Sequence, residues 1–213
     1  MKKIQNISVQ VISGDMTSIK ADAYIVPQFN NCTSYGGVGG AVNRAGACTG
    51  MKSYDEIVRS GRQDFGSAFL VPSGGGLSKF LLHVVSVGSG ERQEFETVQK
   101  SIFSALKLAD DAGLKSILCP ALGTGIIGDL TDEQSAKAIL SAIAKFAEVA
   151  TSLEEFSIVI YGGRTVYFET VLNSASYQDA KPQRGCRAFD FGRWAANMVM
   201  DSAKNHEFEK SHK

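Results

Sequence analysis

The chain has 213 residues, 44% hydrophobic and 21% charged, which excludes a disordered polymer and allows one full core with an appendage. Lysine plus arginine and aspartate plus glutamate both number 22, and the formal net charge of zero gives no electrostatic reason to expect nucleic acid or an anionic membrane as partner. The 22 glycines are the anomaly, because they exceed an ordinary share and cluster in a few places. The opening MKKIQNISVQVIS has basic residues but no continuous apolar run, so it reads as the start of a domain rather than a signal peptide. Residues 7–13 and 23–27 are expected strands, followed by a glycine-rich turn and a helix from about Gly39 to Ala47. A second helical segment, SYDEIVRS, leads to SAFLVPS and KFLLHVVSV, a strand pair separated by Gly74, Gly75 and Gly76. From Glu94 to Ala112 the apolar residues recur at three- and four-residue spacings, as on a helix lying against a sheet, and Gly113 ends it. SILCPAL is a buried strand, GTGIIG a loop, and Thr131 the cap of a helix running to about Ala150. FSIVIY is another buried strand, and a last helix spans Arg164 to Ser174.

Buried strands alternating with amphipathic helices predict an α/β sandwich with its sheet covered on both faces and ligands at the carboxyl ends of the strands. From about Gln178 the pattern changes. The expected division is a main domain at 1–177 and a C-terminal extension at 178–213, partly helical around Arg187–Ala203 through Phe189, Phe191, Trp194, Met198 and Val199. No run approaches the roughly 18 apolar residues of a membrane span, so a soluble, cytoplasmic chain with no membrane partner is expected. Cys32, Cys48, Cys119 and Cys186 are scattered without a C-x-x-C pair and are expected reduced. The three histidines, His83, His206 and His212, leave little material for a metal site or a Cys/His dyad, and no cofactor is expected. His83 reads as a core histidine satisfied by hydrogen bonds.

Two loops place glycines between a strand and a helix. The first carries Gly36, Gly37, Gly39 and Gly40, the second Gly123, Gly125 and Gly128. Glycine lets the backbone approach a ligand closely, and free amides at a helix start attract phosphate. Neither loop fits G-x-x-x-x-G-K-[ST], which excludes the usual ATP-hydrolysing arrangement. Gly123, Gly125 and Gly128 do fit G-x-G-x-x-G, but not in a first βα turn, so they carry little weight as a dehydrogenase signal.

Taken together and in order, GDMTSIKADAYIVPQFN, YGGVGGAVNRAG, SAFLVPSGG, CPALGTGIIG and IVIYGG resemble the macrodomain family over about residues 4–175. Gly14-Asp15-Met16-Thr17, the run from Gly36 to Asn43 and Thr124-Gly125-Ile126-Ile127-Gly128 carry the likeness. It implies a three-layer α/β/α sandwich with a mixed central sheet and a cleft for ADP-ribose, free or attached to protein. On this resemblance Asp15 accepts the adenine N6 hydrogen beside Met16, while Gly37, Val38, Gly39, Gly40 and Ala41 face Gly123, Thr124, Gly125, Ile126 and Ile127 across the diphosphate. Tyr161 presents its ring to adenine, and Asn30, or its neighbour Asn31, contacts the distal ribose as the one candidate catalytic group. Asp15 has a plainer alternative as the cap of a turn, and Tyr161 as a core residue; Arg164 and Asp64 read as surface charges. The chain departs from hydrolytic members by Gly39 in place of an aspartate, Ile127 in place of an aromatic residue and Pro27 in place of an asparagine. The resemblance therefore implies either a binding module or a hydrolase of O-acetyl-ADP-ribose or mono-ADP-ribosyl esters.

Overall fold

The computed structural model describes residues 1–32, 37–47, 52–87, 95–125, 128, 130–149 and 152–178. The expected extension, apart from Gln178, lies outside the described residues, as do Cys48 and Cys186. Seven strands form one sheet: β1 (Lys2–Ile4), β2 (Ile7–Ser13), β3 (Ala21–Phe29), β4 (Ala68–Pro72), β5 (Ser78–Val87), β6 (Ser116–Pro120) and β7 (Glu155–Ile160). The helices are α1 (Gly37–Arg44), α2 (Lys52–Arg59), α3 (Phe95–Asp111), α4 (Asp132–Phe146) and α5 (Thr165–Ser174).

The strand order is β1-β2-β7-β6-β3-β5-β4. The neighbours from β2 to β5 pair in parallel, while β1 on β2 and β4 on β5 are antiparallel. This is a mixed sheet with antiparallel edges, in a three-layer α/β/α sandwich. Strand side chains alternate between faces. Tyr24, Val26, Leu81, Leu118 and Val159 pack with Val42 of α1 and Tyr54 of α2. The intervening Ala23, Ile25, Leu82, Ile117, Phe156 and Ile158 are equally buried and serve the other layer. There α3 lies on α4, β4 and β5, and α5 on α4 and β2.

Local chemistry sets the element ends. Thr131 and Gln134 form a reciprocal capping box at the start of α4, through bonds of 3.2 and 2.9 Å. Helix α1 stops at Arg44 rather than Ala47, because Gly46 takes a left-handed φ of 91°. The Gly46 amide then bonds the Asn43 carbonyl and the Ala47 amide the Val42 carbonyl, a Schellman ending. The same turn seats the helix: a Cβ on Gly75 would come within 2.8 Å of the Gly46 carbonyl oxygen, so the glycine turn between β4 and β5 rests backbone to backbone on the end of α1. Helix α4 also ends early, at Phe146 with Ala147 as its cap.

Below α2 lies a buried polar cluster. His83 is fully buried, stacked on Phe69 at 5.0 Å and tilted against Tyr54 at 4.9 Å. Its Nδ1 meets the Gln28 side-chain amide, while its Nε2 has no partner among the described residues. The expected core histidine is thus present but only half satisfied. Burial pushes its pKa down to about 3. A freed histidine titrates near 6.5, so below that pH the unfolded chain binds one more proton than the folded one, and above it the contribution vanishes. Acid is expected to weaken the fold through His83 by about 1.4 kcal/mol per pH unit, about 2 kcal/mol by pH 5. Urea unfolding between pH 8 and pH 5 checks this, with His83→Phe expected to flatten the dependence by close to one proton.

Candidate functional site

The parallel strands end on one side of the molecule, and a cleft of about 460 Å³ opens there. That is within the range of small-molecule sites. Its walls follow the strands: Gly14, Asp15 and Met16 after β2, Pro120, Ala121, Thr124 and Gly125 from the end of β6 onward, and Val159, Ile160, Tyr161 and Arg164 from the end of β7 onward, with Gly37, Val38, Ala41 and Arg44 along α1 and Asp132 at the start of α4. The Gly14 amide donates to the Ile160 carbonyl at 3.0 Å, closing the seam between the first and last of these loops.

Asp15 caps a short 3₁₀ turn over Met16–Ser18: its Oδ1 accepts from the Thr17 amide at 2.9 Å and from the Thr17 hydroxyl at 2.8 Å. These two bonds hold its carboxyl below the ordinary value, against slight desolvation and with a further contribution from the charge of Arg44. Asp15 is therefore an acceptor-only carboxylate at neutral pH. Capping occupies only Oδ1, and the residue also lines the cleft, so the turn-cap role and a ligand-facing role are compatible.

Helix α1 contributes its first turn. Gly37 enters with a left-handed φ of 53°, and the amides of Gly37, Val38 and Gly39 precede the first intrahelical bond. The helix begins two residues earlier than its sequence suggests, so Ala41 already sits one turn in, where its amide belongs to the helical ladder. Val38, Ala41 and Arg44 follow at three-residue spacing along the wall. Opposite stands the loop from Gly123 to Gly128. Gly123 has φ 80°, its carbonyl accepts from the Leu130 amide at 3.0 Å, and the Gly128 amide reaches the Gly125 carbonyl at 2.9 Å. A Cβ on Gly128 would lie 2.0 Å from the Gly123 carbonyl oxygen. No other residue allows that closure.

The structure brings Asp15, Met16, Gly37, Val38, Ala41, Thr124, Gly125 and Tyr161 to one cleft. Gly39, Gly40 and Gly123 are not on its lining, Gly39 and Gly123 being buried in the backbone behind it. Ile126 and Ile127 lie outside the described residues. Tyr161 is 83% exposed, which removes the core-packing alternative. Asn30 does not line the cleft: its carbonyl accepts from the Gln63 amide at 2.7 Å and its Oδ1 from Arg62 at 3.5 Å. Cys119, below the floor, is fully buried, and burial raises its thiol pKa well above the ordinary value, so it supplies no thiolate.

The Macro domain family profile matches residues 30–139. The chain belongs to the macro domain family. It is 32% identical over 155 residues to an uncharacterized protein of Thermotoga maritima, covering 70% of this chain and 26% of that one. The O-acetyl-ADP-ribose deacetylase of Salmonella gallinarum is 30% identical over 161 residues, 74% of this chain and 89% of its own. A variant of the Oceanobacillus iheyensis macrodomain, solved with ADP-ribose, superposes with a TM-score of 0.72 at 19% identity, covering 82% of this chain and 96% of that one.

Sequence reasoning about this macro domain missed Arg44, Asp132 and Arg164 on the cleft wall. Arg44 was legible in principle, three residues after Ala41 and so its neighbour along the helix surface. The meeting of Arg164 with Asp132, Nε to Oδ2 at 3.4 Å, joins residues 32 positions apart and had no local signal. Among the described residues no helix is long and apolar enough to cross a membrane. Gly128→Ala is expected to force the loop open, costing about 1–3 kcal/mol of stability. Hydrogen exchange checks it, through lost protection of the Leu130 amide.

Proposed function

We propose that this macro domain binds ADP-ribose, free or attached to protein, in the cleft at the carboxyl ends of its strands. One observation carries the reading: a single cavity joins an ionised carboxylate, an exposed aromatic ring and two facing stretches of glycine-rich backbone. In this reading Asp15 accepts the N6 hydrogen of adenine, using the oxygen that Thr17 leaves free. Tyr161 offers a face for the purine. The first-turn amides of α1 and the backbone of Thr124 and Gly125 bracket the diphosphate, where the helix start adds its positive end.

ADP-ribose at millimolar concentration is expected to raise the melting temperature by binding the folded state. Asp15→Ala is expected to weaken the ligand roughly 10- to 100-fold, the loss of a hydrogen bond to a charged acceptor. It also removes the preference for ADP-ribose over inosine diphosphate ribose, which has oxygen in place of the exocyclic amine. Calorimetric titration measures both, and heat from neither nucleotide in the unsubstituted chain overturns the reading.

A second reading is favoured by the likeness to the Salmonella deacetylase: hydrolysis of O-acetyl-ADP-ribose or mono-ADP-ribosyl esters. Such a reaction needs a group that positions or activates water. Gly39 stands where hydrolytic relatives are expected to carry aspartate, and Asn30 is engaged by Arg62 away from the lining. We therefore favour binding without strong turnover. Incubation with O-acetyl-ADP-ribose separates the two readings: deacetylated product over minutes at micromolar protein supports hydrolysis, and none over hours leaves binding alone.

A further inference from the structure

We propose that the ion pair between Asp132 and Arg164 is a strap that fixes Tyr161 at the cleft before any ligand arrives; this rests on the reading of Tyr161 as the ring that meets the base. Tyr161 is 83% exposed, so no packing holds it. It is followed by Gly162 and Gly163, both in left-handed conformations with φ of 90° and 84°. Glycines give this segment the least intrinsic stiffness of any sequence. On its upstream side the chain is anchored, because the Ile160 carbonyl takes the Gly14 amide. On the downstream side the anchor is Arg164.

Arg164 precedes the first helical residue of α5, yet its side chain makes no capping bond there. It reaches instead to Asp132 in the first turn of α4, Nε to Oδ2 at 3.4 Å. The two partners differ in exposure: the Asp132 side chain is 11% exposed and that of Arg164 61%. A carboxylate so withdrawn from water needs a charged partner, whereas a guanidinium at the surface does not, so the carboxylate holds the arginine in place. Asp132 is itself rigid, since Thr131 and Gln134 fix the start of α4 through the capping box. Two rigid points therefore bound a segment of four residues, Tyr161 to Arg164, and both of its ends line the cleft. A ring ordered in advance spares the ligand the cost of ordering it. Asp132 and Arg164 are positioning residues that act through Tyr161.

The test has two arms on the full chain. Without ligand, the NMR backbone order parameters of Gly162 and Gly163 are expected to fall from about 0.85 towards 0.6 in Arg164→Met and in the isosteric Asp132→Asn, the mark of a loosened segment; unchanged values in both overturn the strap. With ligand, ADP-ribose is titrated into the unsubstituted chain, Arg164→Met, Tyr161→Ala and the double variant. Arg164→Met alone is expected to weaken binding about three- to tenfold, and to have no effect once Tyr161 is alanine. Equal losses in both backgrounds overturn the proposal, because Arg164 would then act on the ligand or the fold directly. The charge-reversed pair Asp132→Arg with Arg164→Asp is expected to recover part of the affinity that Arg164→Asp alone loses. Failure of the unsubstituted chain to bind ADP-ribose strikes the functional reading, and the ligand-free order parameters still decide the strap.

Discussion

A Cβ at Gly128 would come within 2.0 Å of the Gly123 carbonyl, and one at Gly75 within 2.8 Å of the Gly46 carbonyl. These two backbone contacts fix the shape of the cleft. The first folds the β6–α4 loop back on itself so that Thr124 and Gly125 face outward. The second sets the end of α1 against the β4–β5 turn, and with it the line along which Val38, Ala41 and Arg44 follow one another. A ligand site made of main chain needs such close approach, because amides stand only a short way off the chain and any side chain between them would fill the space a ligand needs. The sheet supplies the other half. Five parallel strands ending on one side bring loops from distant parts of the sequence to a single opening.

What the sequence discloses and what it hides divide along the same physical line. Periodic burial marks α3, α4, β5 and β7 to within a few residues, because each lies against a large apolar surface and its pattern answers to that surface alone. The start of α4 was legible to the residue, since a capping box is a local chemical device. The short strand β1 was not legible: it is three residues long and turns into β2 through Gln5 at φ 53°, a position where glycine is the usual signal. The early end of α1 was missed for a related reason. Ala45, Gly46 and Ala47 continue a helical composition, and only the left-handed Gly46 with its Schellman bonds ends it.

The site divides similarly. Residues that work through the backbone, such as Gly37, Val38, Thr124 and Gly125, declare themselves because several glycines between a strand and a helix weaken both elements unless the backbone there must approach something closely. Residues that work through paired side chains do not. Asn30 sits close to the first glycine loop in sequence, yet the chain after β3 turns it toward Arg62 and Gln63. Arg164 is far from Asp132 in sequence and reaches it only because β7 lies beside β6 in the sheet, which puts the start of α5 next to the start of α4. Pairings of that kind depend on strand order, and strand order is not written in local pattern.

The charges on the cleft wall bear on what it can do. Asp15 and Asp132 stand against Arg44 and Arg164, so the side chains sum to no net charge, in a chain whose formal net charge is also zero. A diphosphate gains little from long-range attraction under these conditions. In the binding mode proposed above, its hold would come from short-range donors, the first-turn amides of α1 and the backbone of Thr124 and Gly125, with the helix end adding roughly 0.3–1 kcal/mol. Selection among nucleotides then falls to shape and to the few groups that read the base. Both carboxylates are already engaged, Asp15 by Thr17 and Asp132 by Arg164. The Thr17 bonds stabilise the charged form of Asp15 and lower the basicity that drawing a proton from water requires. Both acids among the described lining residues are thereby held in place by their neighbours, so a ligand meets polar groups whose positions are set before it arrives.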